Sequence, residues 1–231
     1  MKLIVNGDDL GYTKRVTEGI LEAYHKGILR STTALMNSQY IKESAAIANE
    51  CSDLGVGVHL NLTLERPLTI NQTLTDPETG EFYHGRTEIW KHHPDYDEIY
   101  AEWKAQIEAY IAVFHHNPTH LDSHHSVHDA TPEALEVAKR LAQEYSLPLR
   151  RYSEYHFVPD FYGSTEPKQL LFILGKYQDQ DIEVMVHPGF ADLDLYRKSS
   201  LCFSRVQELD VLCRDEVKQY IEEHHIILTH Y

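Results

Sequence analysis

The chain has 231 residues, a formal net charge of −15, and 36 acidic against 21 basic residues without any basic block. We therefore expect neither a nucleic-acid partner nor binding to an anionic membrane surface. No stretch approaches the ~20 apolar residues of a membrane span, and the N-terminus lacks a signal-peptide core, which favours a cytoplasmic location. The length suits one α/β barrel domain over residues 1–231.

Short β-type runs alternate with longer helical patterns, which is typical of parallel strands covered by helices. Strands are predicted at residues 3–6, 31–36, 56–61, 120–123, 149–151, 182–187 and 226–228. Apolar residues recur every three or four positions over residues 97–116, and Thr131-Pro132 marks the start of another helix. Residues 65–95 and 153–167 fit neither pattern and are predicted to form binding loops.

Two adjacent carboxylates, Asp8 and Asp9, follow the first predicted strand, beside Gly7 and Gly11. One carboxylate of such a pair can bind a cation while the other accepts a proton from cation-bound water. The alternative is that Asp8 or Asp9 caps a helix that begins near Thr13.

His59 lies near the end of the third predicted strand. Alternation along a strand puts Gly57, His59 and Asn61 on one face, and the apolar neighbours on the other. In an α/β barrel the helix-facing side is apolar, so His59 is expected to point into the barrel and border the site. A hydrogen-bonded structural histidine is the alternative.

The fourth predicted strand leads into the densest group of ligand-capable side chains, residues 119–128. His120, Asp122 and His124 alternate onto one face, so one histidine can bind a metal while Asp122 orients a neighbouring ligand. A solvated histidine-rich turn is the alternative. The sixth strand ends in His187, just before a Pro-Gly turn signal.

The candidate residues all fall at the carboxyl ends of predicted strands: Asp8, Asp9, His59, His124 and His187. These ends meet at one face of an α/β barrel, where active sites assemble. Carboxylates combined with imidazoles suit Zn²⁺ or another divalent ion that keeps a position open for water. Because motifs for a serine nucleophile, a P-loop and H-E-x-x-H are missing from the sequence, metal-activated water is the predicted nucleophile.

Six blocks, in order along essentially the whole chain, resemble the YdjC-like family of carbohydrate deacetylases. They are residues 5–11 (VNGDDLG), 31–37 (STTALMN), 57–60 (GVHL), 119–125 (THLDSHH), 184–188 (VMVHP) and 202–212. The resemblance implies a distorted (β/α) barrel of about seven parallel strands, similar to polysaccharide deacetylase barrels. It also implies a hydrolase of non-peptide carbon-nitrogen bonds, which removes acetyl groups from N-acetylated sugars such as chito-oligosaccharides.

Residue by residue, the resemblance assigns Asp9, His59 and His124 as metal ligands and Asp8 as the general base. It gives His187 as a candidate for the acid or the electrophile. The cofactor it implies is a divalent ion, Mg²⁺ or Zn²⁺. The expected partner is a small acetylated sugar, and a homodimer is the one macromolecular assembly left open.

One departure from the family pattern is visible, because Ser126 stands where the family often has a third successive histidine. Substrate specificity is therefore expected to differ, and the roles of His125 and His128 are left open. Two other functions remain open for the same residues. One is metal-dependent hydrolysis of another bond such as a phosphoester, although no Arg/Lys cluster lies beside the motifs; the other is a catalytically silent metal- or sugar-binding protein.

Overall fold

A computed structural model describes residues 1–163 and 165–231 of the chain. Within these residues the strands form one parallel sheet in the order β4-β3-β2-β1-β6-β5, with β7 beside β1. The strands are β1 (Lys2–Leu10), β2 (Ser31–Ala34), β3 (Gly55–Leu60), β4 (Leu121–Ser123), β5 (His156–Val158), β6 (Ile182–Val186) and β7 (Ile227–Thr229).

Helices surround this sheet, which curls into an incomplete, distorted barrel, as predicted. They are α1 (Lys14–Lys26), α2 (Ile41–Ala48), α3 (Glu88–Lys91), α4 (Tyr96–Phe114), α5 (Pro132–Tyr145), α6 (Pro167–Lys176), α7 (Leu193–Lys198), α8 (Phe203–Cys213) and α9 (Asp215–Glu223). None of them, in the part of the chain that is described, is long and apolar enough to cross a membrane.

The strand predicted at residues 149–151 is wrong. Only Leu149 pairs, through an isolated bridge to Leu121, and the fifth strand lies instead at His156–Val158. The physical reason is local, because Arg150 turns its side chain inward to buried carboxylates and Arg151 takes a left-handed φ of 69°. The fifth strand thus lies inside the segment 153–167 that we expected to be a loop, of which Ser164 is outside the described residues.

Strand β1 is the centre of the sheet. It pairs with β6 over Leu3–Gly7, with β7 through its first residues and with β2 through its last ones. All of its residues after Lys2 are buried. The strand extends to Leu10 rather than ending at Asn6, so the two adjacent carboxylates lie within it and not behind it.

Helix α4 fits the predicted 97–116 closely and ends where His115 adopts a left-handed φ of 64°. Its acidic side chains hold the irregular segment 65–95. Glu102 accepts the backbone N–H groups of Leu68 and Thr69, and Glu98 accepts those of Gln72 and Thr73. The segment is therefore fastened to the barrel through its backbone, although it has little secondary structure of its own.

His120 lies just before β4 and is fully buried. A Cβ atom at Gly57 would lie 2.6 Å from its ring, so glycine at that position makes the space that the ring fills. The ring stacks on Tyr231 with centroids 4.1 Å apart. Burial, together with the Arg150 charge and against the opposing charge of Asp122, lowers the pKa of His120 to about 3.

Gly19 on α1 allows the helix to approach the turn that follows β6. A Cβ atom there would lie 2.4 Å from the Cα atom of Gly189. We expect Gly19→Ala to lower the free energy of unfolding by about 1–3 kcal/mol, because backbone must move to relieve the clash. Urea denaturation measures this difference.

The matched control is Gly175→Ala on α6, where the new methyl group would lie 3.3 Å from the flexible hydroxyl end of Tyr220. Alanine there gains up to ~1 kcal/mol of helix propensity. An unfolding midpoint of Gly19→Ala equal to that of Gly175→Ala would show that α1 does not need this close approach.

The buried His120 ring makes stability depend on pH. In the unfolded chain His120 binds a proton below a pKa of about 6.5, whereas in the folded protein the ring stays neutral down to about pH 3. Protonation therefore favours the unfolded state, and the free energy of unfolding falls as the pH falls through this range. His120→Phe keeps the stacking and removes the titration. Between pH 8 and pH 5 we expect the free energy of unfolding of wild type to fall by about 2 kcal/mol more than that of this variant.

The control for this comparison is His224→Phe, at an exposed ring that stacks on Tyr220 in a similar way. It should follow the wild-type pH dependence in the same denaturation experiment. Identical pH slopes for His120→Phe and wild type would contradict the assignment of the acid sensitivity to His120.

Candidate active site

A cavity of about 590 Å³ opens at the carboxyl ends of the strands. All five residues singled out from the sequence line it: Asp8, Asp9, His59, His124 and His187. A neighbouring hollow of about 660 Å³ shares Leu64, His84 and Lys198 with it but contains none of the five. The fold therefore brings together residues from four strand ends, as the barrel topology predicts.

An irregularity in β1 turns both adjacent carboxylates toward this cavity. The pairing of β1 with β2 shifts between Gly7 and Leu10, and Asp9 adopts a φ of 77°. Regular alternation would send two consecutive side chains to opposite faces, whereas a bulge re-aims one of them. Thr13 itself caps α1 by accepting the N–H of Val16, so the alternative that Asp8 or Asp9 caps this helix is wrong.

Asp9, His59 and His124 offer three ligand atoms that lie within 4.8 Å of one another. Asp9 Oδ1 is 3.2 Å from His59 Nε2 and 2.9 Å from His124 Nδ1. His124 is the first residue after β4, where the chain leaves the strand in a 3₁₀ turn, His124–Asp129. One carboxylate facing two imidazoles is a donor set that fits a divalent first-row metal ion.

The His59 ring is oriented from behind. His59 and Asp122 are register partners on β3 and β4, and His59 Nδ1 donates to Asp122 Oδ1 at 2.6 Å. The Thr33 hydroxyl donates to the other oxygen of Asp122 at 2.9 Å. Burial opposes protonation of His59, but the Asp122 charge and the hydrogen bonds to Asp122 and Asp9 together outweigh it and raise the pKa to about 10. Asp122 thus lies where the sequence predicts an orienting carboxylate, and it directs Nε2 toward Asp9.

The second oxygen of Asp9 is bound to Arg205 on α8. Arg205 Nη2 donates to Asp9 Oδ2 at 2.5 Å, and both side chains are buried. Burial alone would raise the pKa of Asp9, but the Arg205 guanidinium and the imidazole of His124 together hold it well below its usual range. Asp9 is therefore ionised at neutral pH.

Asp8 forms a two-point ion pair with Arg150, whose Nη1 and Nη2 each donate to one oxygen at 2.8 Å. Arg150 also lies 2.9 Å from Asp122 Oδ2 and donates from Nε to Glu183 Oε1 at 2.7 Å. Glu183 in turn accepts the Tyr231 hydroxyl at 2.5 Å. This buried network fixes the Asp8 carboxylate in position.

His187 is the most loosely held of the five. Its Nε2 lies 3.9 Å from Asp8 Oδ2, and its Nδ1 has no partner among the described residues. Its backbone N–H donates to Glu208 Oε2 at 2.5 Å. Burial, reinforced by the Arg205 charge against the pull of Asp8, lowers the pKa of His187 to about 4. The ring is therefore neutral at pH 7.

His125 and Ser126 follow the candidate ligand His124 in left-handed conformations, with φ of 57° and 55°. Both line the cavity, and His125 Nδ1 lies 2.9 Å from the hydroxyl of Thr63. The serine that departs from the family pattern therefore faces the space where a substrate would bind. His128 points away into the core, with Nδ1 2.5 Å from Ser123 Oγ.

The basic residues of the site were not predicted from the sequence. Arg150 and Arg205 hold the two aspartates, and Arg86, Arg151 and Lys198 also line the cavity. A signal for Arg150 is the arginine pair within a predicted strand, because arginine is rarely buried unless it is paired with a carboxylate. No Arg/Lys cluster lies beside the motifs along the chain, but in space Arg86, Arg151 and Lys198 line the same cavity as the motif residues.

Comparison with known proteins identifies relatives over nearly the whole chain. The model of the YdjC-like protein family matches residues 2–223. A carbohydrate deacetylase of Enterococcus faecalis is 36% identical, over 100% of this chain and 97% of its own length. A chitooligosaccharide deacetylase of Yersinia enterocolitica is 38% identical, over 96% of this chain and 94% of its own length.

Solved structures agree as well. A crystal structure from Enterococcus faecalis, described as a candidate cellobiose-phosphate cleavage protein, has a TM-score of 0.90 at 35% identity and covers 100% of this chain and 97% of its own. The peptidoglycan deacetylase PdaC of Bacillus subtilis has a TM-score of 0.54 at 13% identity, over 99% of this chain and 87% of its own, and shares the fold. The family predicted from the sequence is thereby confirmed, and the chain belongs to the YdjC-like protein family.

Proposed function

We propose that the chain is a metal-dependent carbohydrate deacetylase, acting through one domain that spans residues 1–231. The observation that carries this proposal is the meeting of Asp9, His59 and His124 beside the fixed carboxylate of Asp8 in one cavity. Full-length relatives named as carbohydrate and chitooligosaccharide deacetylases support an acetylated sugar, such as an N-acetylglucosamine oligomer, as the substrate.

Asp9, His59 and His124 would hold the metal ion, and the two imidazoles favour Zn²⁺ over Mg²⁺, which prefers oxygen ligands. When bound there, a divalent ion would polarise the acetamide carbonyl and lower the pKa of water. The raised pKa of His59 is compatible with this role, because the carboxylates that stabilise a proton on the ring also stabilise a cation beside it.

Asp8 serves as the general base in this proposal. Arg150 holds both of its oxygens in place, so Asp8 can take a proton from the attacking water without turning away. His187 is neutral at pH 7, so the proton that it gives to the departing amine must first reach it. Asp8 Oδ2, 3.9 Å from His187 Nε2, is the nearest donor for that transfer once it has taken the water's proton.

A second candidate function is hydrolysis of a phosphoester at the same site. The observation that favours it is the positive charge of Arg86, Arg151 and Lys198 on the cavity wall, which suits an anionic substrate. The deacetylase proposal remains the first choice, because relatives that match this chain over nearly its whole length carry that name.

The two reactions are separated by their products. Purified protein with added Zn²⁺ or Mg²⁺ should release acetate from short N-acetylglucosamine oligomers, and a chelator should stop the release. Phosphate release from a sugar phosphate without any acetate release would favour the second candidate. Metal binding with no turnover of any acetylated sugar would indicate a silent binding protein.

Base and ligand should respond differently to substitution. We expect Asp8→Asn to bind one metal ion per chain, as wild type does, but to turn over substrate about 10²–10⁴-fold more slowly, since the amide cannot accept the water's proton. His59→Ala should lose the metal itself. Metal analysis and acetate release on the same samples measure both effects.

Asp53→Asn, at an exposed turn, is the control for this pair and should behave as wild type in both measurements. Full turnover by Asp8→Asn would rule out Asp8 as the base. A stoichiometric metal ion in His59→Ala would remove His59 from the ligand set.

A further inference from the structure

Arg205 reaches the candidate metal ligands from α8, a helix outside the sheet. Its side chain is only 2% exposed. Nε donates to the carbonyl of Leu201 at 3.1 Å, and Nη2 donates to Asp9 Oδ2 at 2.5 Å. The Arg205 carbonyl accepts the N–H of Gly189, which ties this part of α8 to the turn behind His187.

The two oxygens of Asp9 have different partners as a result. Oδ1 faces His59 Nε2 and His124 Nδ1, at 3.2 and 2.9 Å. Oδ2 faces the Arg205 guanidinium. A carboxylate can bind a metal through one oxygen or through both, and an oxygen that already accepts a charge-assisted hydrogen bond is a poor second ligand atom.

We propose that Arg205 is a positioning residue that restricts Asp9 to binding the metal through Oδ1 alone. The restriction leaves coordination positions open for water and for the substrate's acetyl oxygen, which a two-oxygen aspartate would reduce by one. This inference rests on the proposed function, since it concerns the metal that Asp9, His59 and His124 would hold.

Arg205 is less completely hydrogen-bonded than the other buried arginine of the site. Arg150, the other buried arginine of the site, uses Nε, Nη1 and Nη2 in hydrogen bonds to Asp8 and Glu183. Arg205 Nη1 is buried without a partner among the described residues. Buried hydrogen-bond donors normally have an acceptor. The guanidinium of Arg205 is buried although its Nη1 donor is unused, which points to a role at the Asp9 carboxylate and not to packing alone.

The test compares wild type with Arg205→Gln and Arg205→Lys, using Zn²⁺ or Co²⁺ alone as the probe. Removing the guanidinium frees Asp9 Oδ2, so we expect X-ray absorption to show one more oxygen around zinc in Arg205→Gln. The visible absorption of the Co²⁺ form should weaken as its coordination number rises. Titration calorimetry should show metal binding about 10–100-fold weaker, as is usual when a residue that orients a ligand is removed.

Arg205→Lys keeps a positive charge that can still engage Oδ2, so it should bind metal more tightly than Arg205→Gln and recover the wild-type coordination number. Arg214→Gln is the matched control, because Arg214 forms an exposed ion pair with Asp210 at the end of the same helix. It should leave affinity and spectrum unchanged. Where Arg205→Gln does not fold, Arg205→Met, which keeps the aliphatic contact with Gly189, replaces it with the same expected result.

Wild-type affinity and an unchanged coordination number in the variant without the guanidinium would overturn the inference and leave the metal site and the proposed function standing. A loss of thermal stability with unchanged metal coordination would also overturn it, because that is the result of a structural role. Failure of the wild-type protein to bind any divalent ion would instead refute the proposed function.

Discussion

Two buried arginines allow the carboxylates of this site to exist inside the barrel. The chain carries a net charge of −15; Asp8 and Asp9 line the cavity, Asp122 and Glu183 lie behind it, and all four are almost completely buried. Arg150 contacts Asp8, Asp122 and Glu183, and Arg205 contacts Asp9. Removing one partner of such a buried pair typically costs about 3–5 kcal/mol, so the arginines are as necessary to the fold as to the site.

The arginines also separate two carboxylates that are adjacent in sequence. Arg150 holds both oxygens of Asp8, and Arg205 holds one oxygen of Asp9, which leaves Oδ1 of Asp9 toward the histidines. The bulge in β1 brings both side chains to the same cavity, but their different partners give them different chemistry. A base and a ligand can therefore occupy consecutive positions without competing for one cation.

The parts of the site that lie on strands could be predicted from the sequence. Asp8, Asp9, His59, His124 and His187 occur at or near strand ends, and parallel strands bring their ends to one face, so topology was sufficient to bring them together. The bulge that turns both Asp8 and Asp9 to that face breaks the alternation and could not be predicted from it. Arg205 could not be found in this way, because it comes from a helix and its contact with Asp9 depends on how α8 packs. Arg150 was assigned to a strand, whereas its hydrogen bonds to buried carboxylates decide its conformation.

The irregular segment 65–95 borders the site and is held by backbone N–H groups that Glu98 and Glu102 of α4 accept, and by the buried side chains of Leu74, Phe82 and Ile89. The residues that attach the segment are therefore separate from those that line the cavity. His84, Gly85 and Arg86, which face the cavity from this segment, can change during evolution without weakening its attachment. Substitutions at these three positions would therefore reshape the cavity wall while the barrel and its buried charges stay the same.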